Sequence, residues 1–546
     1  MQPSRRTRLT RTVLVLLSTG LLVSLAASCG ANGDFDSSTD DDANNGNNAV
    51  NNGGNNGAVN NGGNNGNNGD YYSDGTNNGG DWEEPLPPDG DLPDTNDFVD
   101  ASVDNLATFS IDVDTASYTL MRRAVTSGYL PDPNTVRVEE FINFFDYDYE
   151  APAPNSPEPF AVHLESAPSR FGANLQLMRV GIQGEAIDPA AKKPANLIFL
   201  VDVSGSMSDP LKLGLVKYSL RRLLDELGGD DTIGIVAYAG ADRIVLEPTS
   251  VSERDTILSA IDHLEAGGST NGAAGIRTAY ELAQSVFVAD GVNRVVLCTD
   301  GDFNVGVTGD ALVDLVVSWR DRNIFLSVLG FAGGYGTYGF DDRFLEALTN
   351  EADGNYAFVD TEREADRAVG FKLMGTLQVI AKDVKIQVEL NPAVVARYRL
   401  IGYENRNIAD DDFVDDTVDA GEIGSGHTVT AYLELELIDG VSAVDAAAEP
   451  MATVHIRYKK PEGGASEEII HGLPLGDAHA SFADASDSFR FGAAVAEFAE
   501  ILRYSPHVDG ADFEAVNAVA ASAVSLETPE HTEFRELVSQ ASGMYP

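Results

Sequence analysis

The stretch LIFLVDVSGSM, residues 197–207, is the part of the chain that decides the fold. It joins an uninterrupted apolar run to three small polar residues, Asp202, Ser204 and Ser206. A run that is apolar at every position is typical of a strand buried on both faces of a parallel sheet. The polar residues therefore follow the carboxyl end of such a strand, where ligands bind in open α/β sheets.

Strand-like and helix-like segments alternate around this stretch, from residue 195 to residue 365. Strands are predicted at Leu197–Val201, Ile233–Tyr238, Ile244–Leu246, Val295–Thr299, Ile324–Leu329 and Tyr356–Val359. Helices are predicted around Val216–Leu227 and at Thr256–Leu264, Ala273–Phe287, Ala311–Trp319 and Arg343–Leu348. The short link AGAD joins two of the strands as a hairpin, so one edge strand is antiparallel. The pattern predicts an α/β fold with a doubly wound, mostly parallel sheet.

Two further loops of this region carry oxygen-bearing side chains. Thr270 lies in AGGSTNG and Asp300 in VVLCTDGD, and both loops are expected beside the end of the first strand. Together with Asp202, Ser204 and Ser206 they offer only hard oxygen ligands, which suit Mg²⁺, with Mn²⁺ or Ca²⁺ as alternatives. Such a set leaves one coordination position open for the oxygen of a partner.

These three motifs, in this order, resemble the metal-ion-dependent adhesion site of a von Willebrand factor type A domain. The resemblance implies that Ser204, Ser206 and Thr270 contact the metal, and that Asp202 and Asp300 bind it directly or through water. It also implies that a carboxylate of a partner protein completes the coordination. The segments FSIDVDTASY, residues 109–118, and RVEEFINFF, residues 137–145, resemble those of a group of bacterial type A proteins.

The regions on either side of residues 195–365 have their own patterns. Residues 104–190 contain a helix-like segment and a strand pair, Phe160–Ser166 and Leu175–Gly184. Residues 366–483 contain strands of period two at Lys385–Leu390, Thr428–Leu437 and Thr453–Lys459, and residues 484–546 are helical. Each flank has few strands, and fewer than three strands with one apolar face are marginal alone. We therefore predict that both flanks pair into one antiparallel sheet pack, with the α/β domain inserted between its halves. The C-terminal helices would cover part of that sheet, and Asp202 and Asp300 of the metal loops would face outward.

The N-terminus is typical of an export signal. A basic segment is followed by an apolar stretch over residues 13–27, which is short for a membrane span. LAASC, residues 25–29, resembles a bacterial lipobox, so residues 1–28 are expected to be removed and Cys29 lipidated. The alternative is an ordinary cleaved signal with an incidental cysteine. Cys298, the second cysteine, is expected to be a buried apolar residue without a disulfide.

Residues 29–103 are predicted to be a disordered tether. The segment is rich in Asn, Gly and acidic residues, and residues 30–100 contain no Lys or Arg. The whole chain has 86 acidic and 36 basic residues, a formal net charge of −50. Because nucleic-acid affinity depends on Lys and Arg at phosphates, this balance argues against a nucleic-acid partner.

Three weaker motifs were weighed against ordinary structural roles. Asp112–Thr115 partly matches a phosphatase nucleophile loop, but a turn before a helix explains it better. Gly334–Gly339 fits a dinucleotide-binding glycine pattern without its strand context. Asp410–Asp419 is acidic enough for calcium but lacks the EF-hand spacing, so a solvated loop is favoured.

The sequence therefore predicts a non-enzymatic adhesion or scaffold protein that binds a protein ligand through a divalent cation. It would be exported and held by its lipid to a membrane of the cell envelope. Two alternatives stay open: an envelope hydrolase whose α/β domain recruits substrate, and a structural lipoprotein with an idle metal site.

Overall fold

The computed structural model describes residues 92–111, 114–153, 156–172, 174–188, 192–268, 272–301, 310–331, 342–418, 420–441, 450–508 and 510–546. The predicted export signal, Cys29, most of the tether, Thr270 and Gly334–Gly339 lie outside these residues. Within the described ranges, every helix is too short or too polar to cross a membrane.

The described residues form sixteen strands. The first eight are β1 Val99–Asp100, β2 Leu106–Ser110, β3 Phe160–Pro168, β4 Leu175–Gly184, β5 Ala195–Asp202, β6 Thr232–Tyr238, β7 Asp242–Ser250 and β8 Val292–Thr299. The others are β9 Phe325–Phe331, β10 Tyr356–Val359, β11 Val379–Leu390, β12 Val395–Ile401, β13 Ile423–Gly424, β14 Thr428–Leu437, β15 Pro450–Lys459 and β16 Glu467–Pro474.

The same residues form twelve α-helices. The first six are α1 Ala116–Thr126, α2 Val138–Ile142, α3 Leu215–Glu226, α4 Arg254–Asp262, α5 Gly272–Ser285 and α6 Asp310–Arg320. The others are α7 Asp342–Asn350, α8 Glu362–Arg367, α9 Met374–Thr376, α10 Asp487–Leu502, α11 Phe513–Ser522 and α12 Pro529–Ser542.

The strands β5 to β10 form the predicted α/β sheet, in the order β10-β9-β8-β5-β6-β7. All neighbours are parallel except β7, which pairs antiparallel with β6 at the edge, as the AGAD hairpin predicted. Every residue of β5 is buried. Its side chains alternate between two apolar cores: Leu197, Phe199 and Val201 face α3 and α4, whereas Ile198 and Leu200 face α5 and α6. Burial on both faces explains why the β5 sequence is apolar throughout.

The other strands form a β sandwich of two antiparallel sheets. One sheet has the order β1-β12-β14-β4-β3, and the other has the order β13-β11-β15-β16 with β2 beside β11. Strands from before the α/β domain pair with strands from after it: β4 with β14, β2 with β11 and β1 with β12. The prediction that both flanks build one antiparallel pack around an inserted α/β domain is therefore confirmed.

A helical cap, made of α1, α2, α10, α11 and α12, covers the outer face of the sheet that contains β14. Its core is aromatic: the Phe498 ring lies edge-on to Phe534 with centroids 5.5 Å apart, and it also contacts Phe141 and Phe513. Phe141 belongs to RVEEFINFF, so this N-terminal motif and the C-terminal helices share one core. The covering of the sheet by C-terminal helices is also confirmed.

The turn at Asp114 has a structural role. Its Oδ1 accepts a hydrogen bond at 2.9 Å from the backbone N–H of Tyr356, the first residue of the edge strand β10. The turn therefore attaches the N-terminal segment to the edge of the α/β sheet. Arg122 of α1 extends this attachment through buried ion pairs with Asp360 and Glu364. Asp112, the other acid of the motif, lies outside the described residues.

Candidate metal centre

The strand register brings the two predicted carboxylates together. β5 and β8 are parallel neighbours in which Val201 lies opposite Cys298. Asp202 ends β5, and Asp300 follows the last residue of β8, so both leave the sheet at the same edge. Cys298 itself is buried and belongs to the core, as predicted, and burial raises its thiol pKa.

The loop after β5 is held by backbone hydrogen bonds to the loop that leads to Thr270. The Gly205 N–H donates to the Gly268 carbonyl at 3.0 Å, and the Gly267 N–H donates to the Val203 carbonyl at 2.7 Å. Gly268 has φ +96°, a conformation that glycine adopts at low cost. These bonds support the predicted meeting of the three loops, but the Thr270 side chain lies outside the described residues and stays a prediction.

Four of the five predicted ligands lie in this small region. The Ser204 N–H donates to Asp202 Oδ1 at 2.7 Å, and the Ser204 and Ser206 hydroxyl oxygens are 2.8 Å apart. The carboxylates do not face outward as we predicted, because Asp202 is 0% and Asp300 7% exposed. Ser206 is exposed, so among the four it provides the contact with solvent.

Burial makes this arrangement electrostatically costly. It raises the pKa of Asp202 to about 6; hydrogen bonds from Ser204 oppose the shift and the nearby charge of Asp300 adds to it. Asp300 Oδ1 is buried and accepts no hydrogen bond from any residue that the structure describes. Two adjacent buried carboxylates with an unused oxygen fit a divalent cation, which would offset both their repulsion and their desolvation.

Hydroxyl groups would have to complete such a centre. Within the described residues, no three Asp, Glu, His or Cys side chains gather as a metal cluster.

The acids of the loop at Asp410–Asp419 contact other protein groups. Asp415 accepts hydrogen bonds from Thr417, and Asp416 pairs with Arg457 and accepts a hydrogen bond from Ser466. Separate protein partners for these acids favour the solvated-loop interpretation over calcium binding.

Lys212 is a feature of the site that the sequence did not reveal. Its ammonium lies 2.8 Å from Asp300 Oδ2 and forms a largely buried ion pair with it. The residue lies in a short helical turn, Pro210–Gly214, that leads into α3. No periodicity or motif marks this lysine, because its role depends on how the turn brings it to Asp300. Lys212 thus places an internal positive charge beside a proposed metal ligand.

Replacing Lys212 with methionine is expected to tighten divalent-cation binding by about tenfold, or ~1.4 kcal/mol. The substitution removes a cation that competes with the metal for Asp300 and keeps the apolar length of the side chain. Titration calorimetry with Mg²⁺ and Mn²⁺ would measure the effect. Lys217→Met is the control, because Lys217 lies on the same domain and donates to the Asp262 carbonyl instead. Equal or weaker binding by the Lys212 variant would contradict the competition.

Comparisons with known proteins agree with this fold. Residues 197–302 match the family model of the von Willebrand factor type A domain, and residues 91–179 match a model described as von Willebrand factor. Residues 375–544 match the model of the C-terminal region of the uncharacterized protein YfbK. The α/β domain is therefore a type A domain, and such domains commonly bind a divalent metal.

YfbK of Escherichia coli strain K12 is 36% identical over 472 residues, which cover 83% of this chain and 80% of YfbK. The chain belongs to the YfbK family. The uncharacterized protein sll0103 of Synechocystis is 25% identical over 303 residues, 55% of this chain and 69% of sll0103. A solved type A protein from Catenulispora acidiphila has a TM-score of 0.40 at 15% identity, covering 68% of this chain and 87% of its own.

Proposed function

We propose that this protein is a non-enzymatic adhesion or scaffold module that binds a protein ligand through a divalent cation. The observation that carries the proposal is the pair of buried carboxylates, Asp202 and Asp300, beside Ser204 and Ser206 at one edge of the sheet. Asp300 retains a buried oxygen without a described partner. These four residues and Thr270 would hold Mg²⁺ or a related ion, which would supply a Lewis-acidic position for a carboxylate of the partner.

The described contacts of Ser204 and Ser206 are with each other and with Asp202, not with a histidine. A nucleophilic serine needs a general base within hydrogen-bond reach. Ser204 Oγ is hydrogen-bonded to Ser206 Oγ, and Asp202 Oδ1 is hydrogen-bonded to the Ser204 backbone N–H. The histidines with described carboxylate contacts, His455 and His479, bond to Glu468 and Glu165 of the β sandwich. These two histidines therefore do not act as a base for either serine.

Affinity capture tests this function. Biotinylated protein would be incubated with extract of the native cell envelope, in Mg²⁺ or in EDTA, and bound proteins identified by mass spectrometry. We expect a protein that is captured in Mg²⁺ and lost both in EDTA and with Asp202→Ala. Asp255→Ala is the control, because Asp255 is an exposed acid of α4 in the same domain. The same captured proteins under all conditions would contradict metal-dependent binding.

We also propose that the chain is exported and anchored to an envelope membrane through lipid on Cys29. The support is the basic and apolar N-terminal segment that ends in LAASC. Cys29→Ser should leave the protein unable to incorporate labelled palmitate and should move it from the membrane to the soluble fraction. Membrane association that is unchanged in the Cys29 variant would show the anchor to be wrong.

A further inference from the structure

A cavity of about 1110 Å³ lies where the α/β domain meets the β sandwich. Its walls come from the amino end of β8, the turn before β10, the starts of β11 and β13, and the N-terminal segment. Representative lining residues are Arg294, Arg343, Asp353, Asn355, Val379 and Glu422. Since Arg294 lies near the amino end of β8 and Asp300 follows its carboxyl end, the cavity and the metal centre are at opposite ends of the strand.

Arg294 is the unusual member of this wall. The residue is only 1% exposed. Its Nη1 donates to Ser327 Oγ at 2.5 Å, and its guanidinium lies 5.8 Å from the centre of the Phe325 ring. Among the described residues, its Nε has no hydrogen-bond partner and no carboxylate lies within ion-pair distance of the guanidinium. Burial lowers the pKa of Arg294, and the charges of Glu422 and Asp353 oppose that shift.

Other arginines of the same cavity are neutralised by the protein. Arg137 pairs with Asp342 at 2.7 Å, and Arg503 pairs with Glu404 at 3.0 Å. Glu422 and Asp353, the two acids whose charges act on Arg294, are each paired with another cation. Lys382 lies 3.1 Å from Glu422, and Arg320 lies 3.7 Å from Asp353. Arg294 is thus a buried cation for which the described chain supplies no direct counter-ion.

Keeping such a charge buried is unfavourable, and a ligand carboxylate can offset that cost through paired N–H···O bonds. We propose that Arg294 anchors a binding site for the terminal carboxylate of a short peptide. The cavity is large enough for several residues. Exposed acids of its lining, such as Asp94 and Glu351, suit peptide N–H and ammonium groups and disfavour a dianion such as phosphate, as does the net charge of −50.

The test uses the whole chain and trialanine as the probe. Titration calorimetry would compare trialanine, its C-terminally amidated form, acetate and inorganic phosphate. We expect trialanine to bind with a Kd in the millimolar range or tighter, and the amidated form to bind at least tenfold more weakly. Because the site is remote from the metal loops, the Kd should be equal in Mg²⁺ and in EDTA. This equality separates the inference from the proposed metal-dependent function.

Arg294→Gln should weaken trialanine binding at least tenfold, whereas Arg322→Gln should leave it unchanged. Arg322 is the control because it is an exposed arginine of the same domain that does not line the cavity. The comparison of free with amidated peptide needs no variant, so it tests the need for the terminal carboxylate even if Arg294→Gln fails to fold. Equal binding of both peptides, preferential binding of phosphate, full binding by Arg294→Gln, or no millimolar binding of trialanine would each overturn the proposal.

Discussion

Replacing Arg399 with methionine is expected to lower the free energy of unfolding by about 3–5 kcal/mol. Arg399 lies in β12, and its guanidinium is 2.8 Å from Glu434 of β14 and 3.1 Å from Glu500 of α10. All three side chains are 0% exposed. The substitution would leave two buried carboxylates without this cation, and the penalty for such uncompensated charge is the reason for the large effect.

The same ion network joins the sandwich to the helical cap. Arg503 pairs with Glu500 and also with Glu404 at 3.0 Å. Burial alone would raise the pKa of Glu500, but Arg503 and Arg399 hold it below its ordinary value. Glu500 is therefore charged in the folded protein and depends on both arginines. Loss of Arg399 should consequently loosen α10 from the sheet as well as destabilise the chain.

Arg397 provides a matched control two residues earlier on the same strand. It pairs with Glu436 across the same two strands, but its side chain is 53% exposed. Arg397→Met should therefore cost less than about 1 kcal/mol, as is usual for exposed ion pairs. Urea denaturation monitored by circular dichroism would give both values. Equal losses for the two variants would show that burial of the Arg399 network does not contribute as we infer.

The second large effect concerns the metal centre. Magnesium at a hundred times its Kd is expected to stabilise the wild-type protein by about 2.7 kcal/mol, and Asp202→Ala should abolish this stabilisation. The physical reason is that the ion binds the folded loops and not the unfolded chain. Burial already raises the pKa of Asp202 to about 6, so its charge is costly without a cation. The variant should accordingly fold when metal is absent.

Thermal melts in magnesium and in EDTA would measure this shift for the wild type, for Asp202→Ala and for Asp255→Ala. The Asp255 variant should retain the shift of the wild type, because its carboxylate is exposed on α4 and is not one of the proposed ligands. Melting curves of the wild type that coincide in magnesium and EDTA, at concentrations that saturate its metal binding in calorimetry, would count against a stabilising ion at these loops.

Much of the α/β domain could be predicted from local patterns, and the flanking strands only in part. The apolar run of β5 and the period-two segments of β14 and β15 are visible in the sequence, because one or both faces of each strand are buried. Strand β12 was missed. Its Arg399 is a charged residue buried under α10, which interrupts the alternation of apolar and polar residues. Strand β2 is short, and its place is set by pairing with β11.

The sequence by itself determined the inserted type A domain and the positions of Asp202, Ser204, Ser206 and Asp300 at the ends of its strands, because parallel strands bring their carboxyl ends to one edge. Only the tertiary structure decided which charges meet. Contacts between elements distant along the chain place Lys212 beside Asp300 and Arg399 between Glu434 and Glu500. They also leave Arg294 without a counter-ion among the described residues. A single charged side chain leaves no periodic signal in the sequence, so its partner becomes visible only when the sheets and helices have packed.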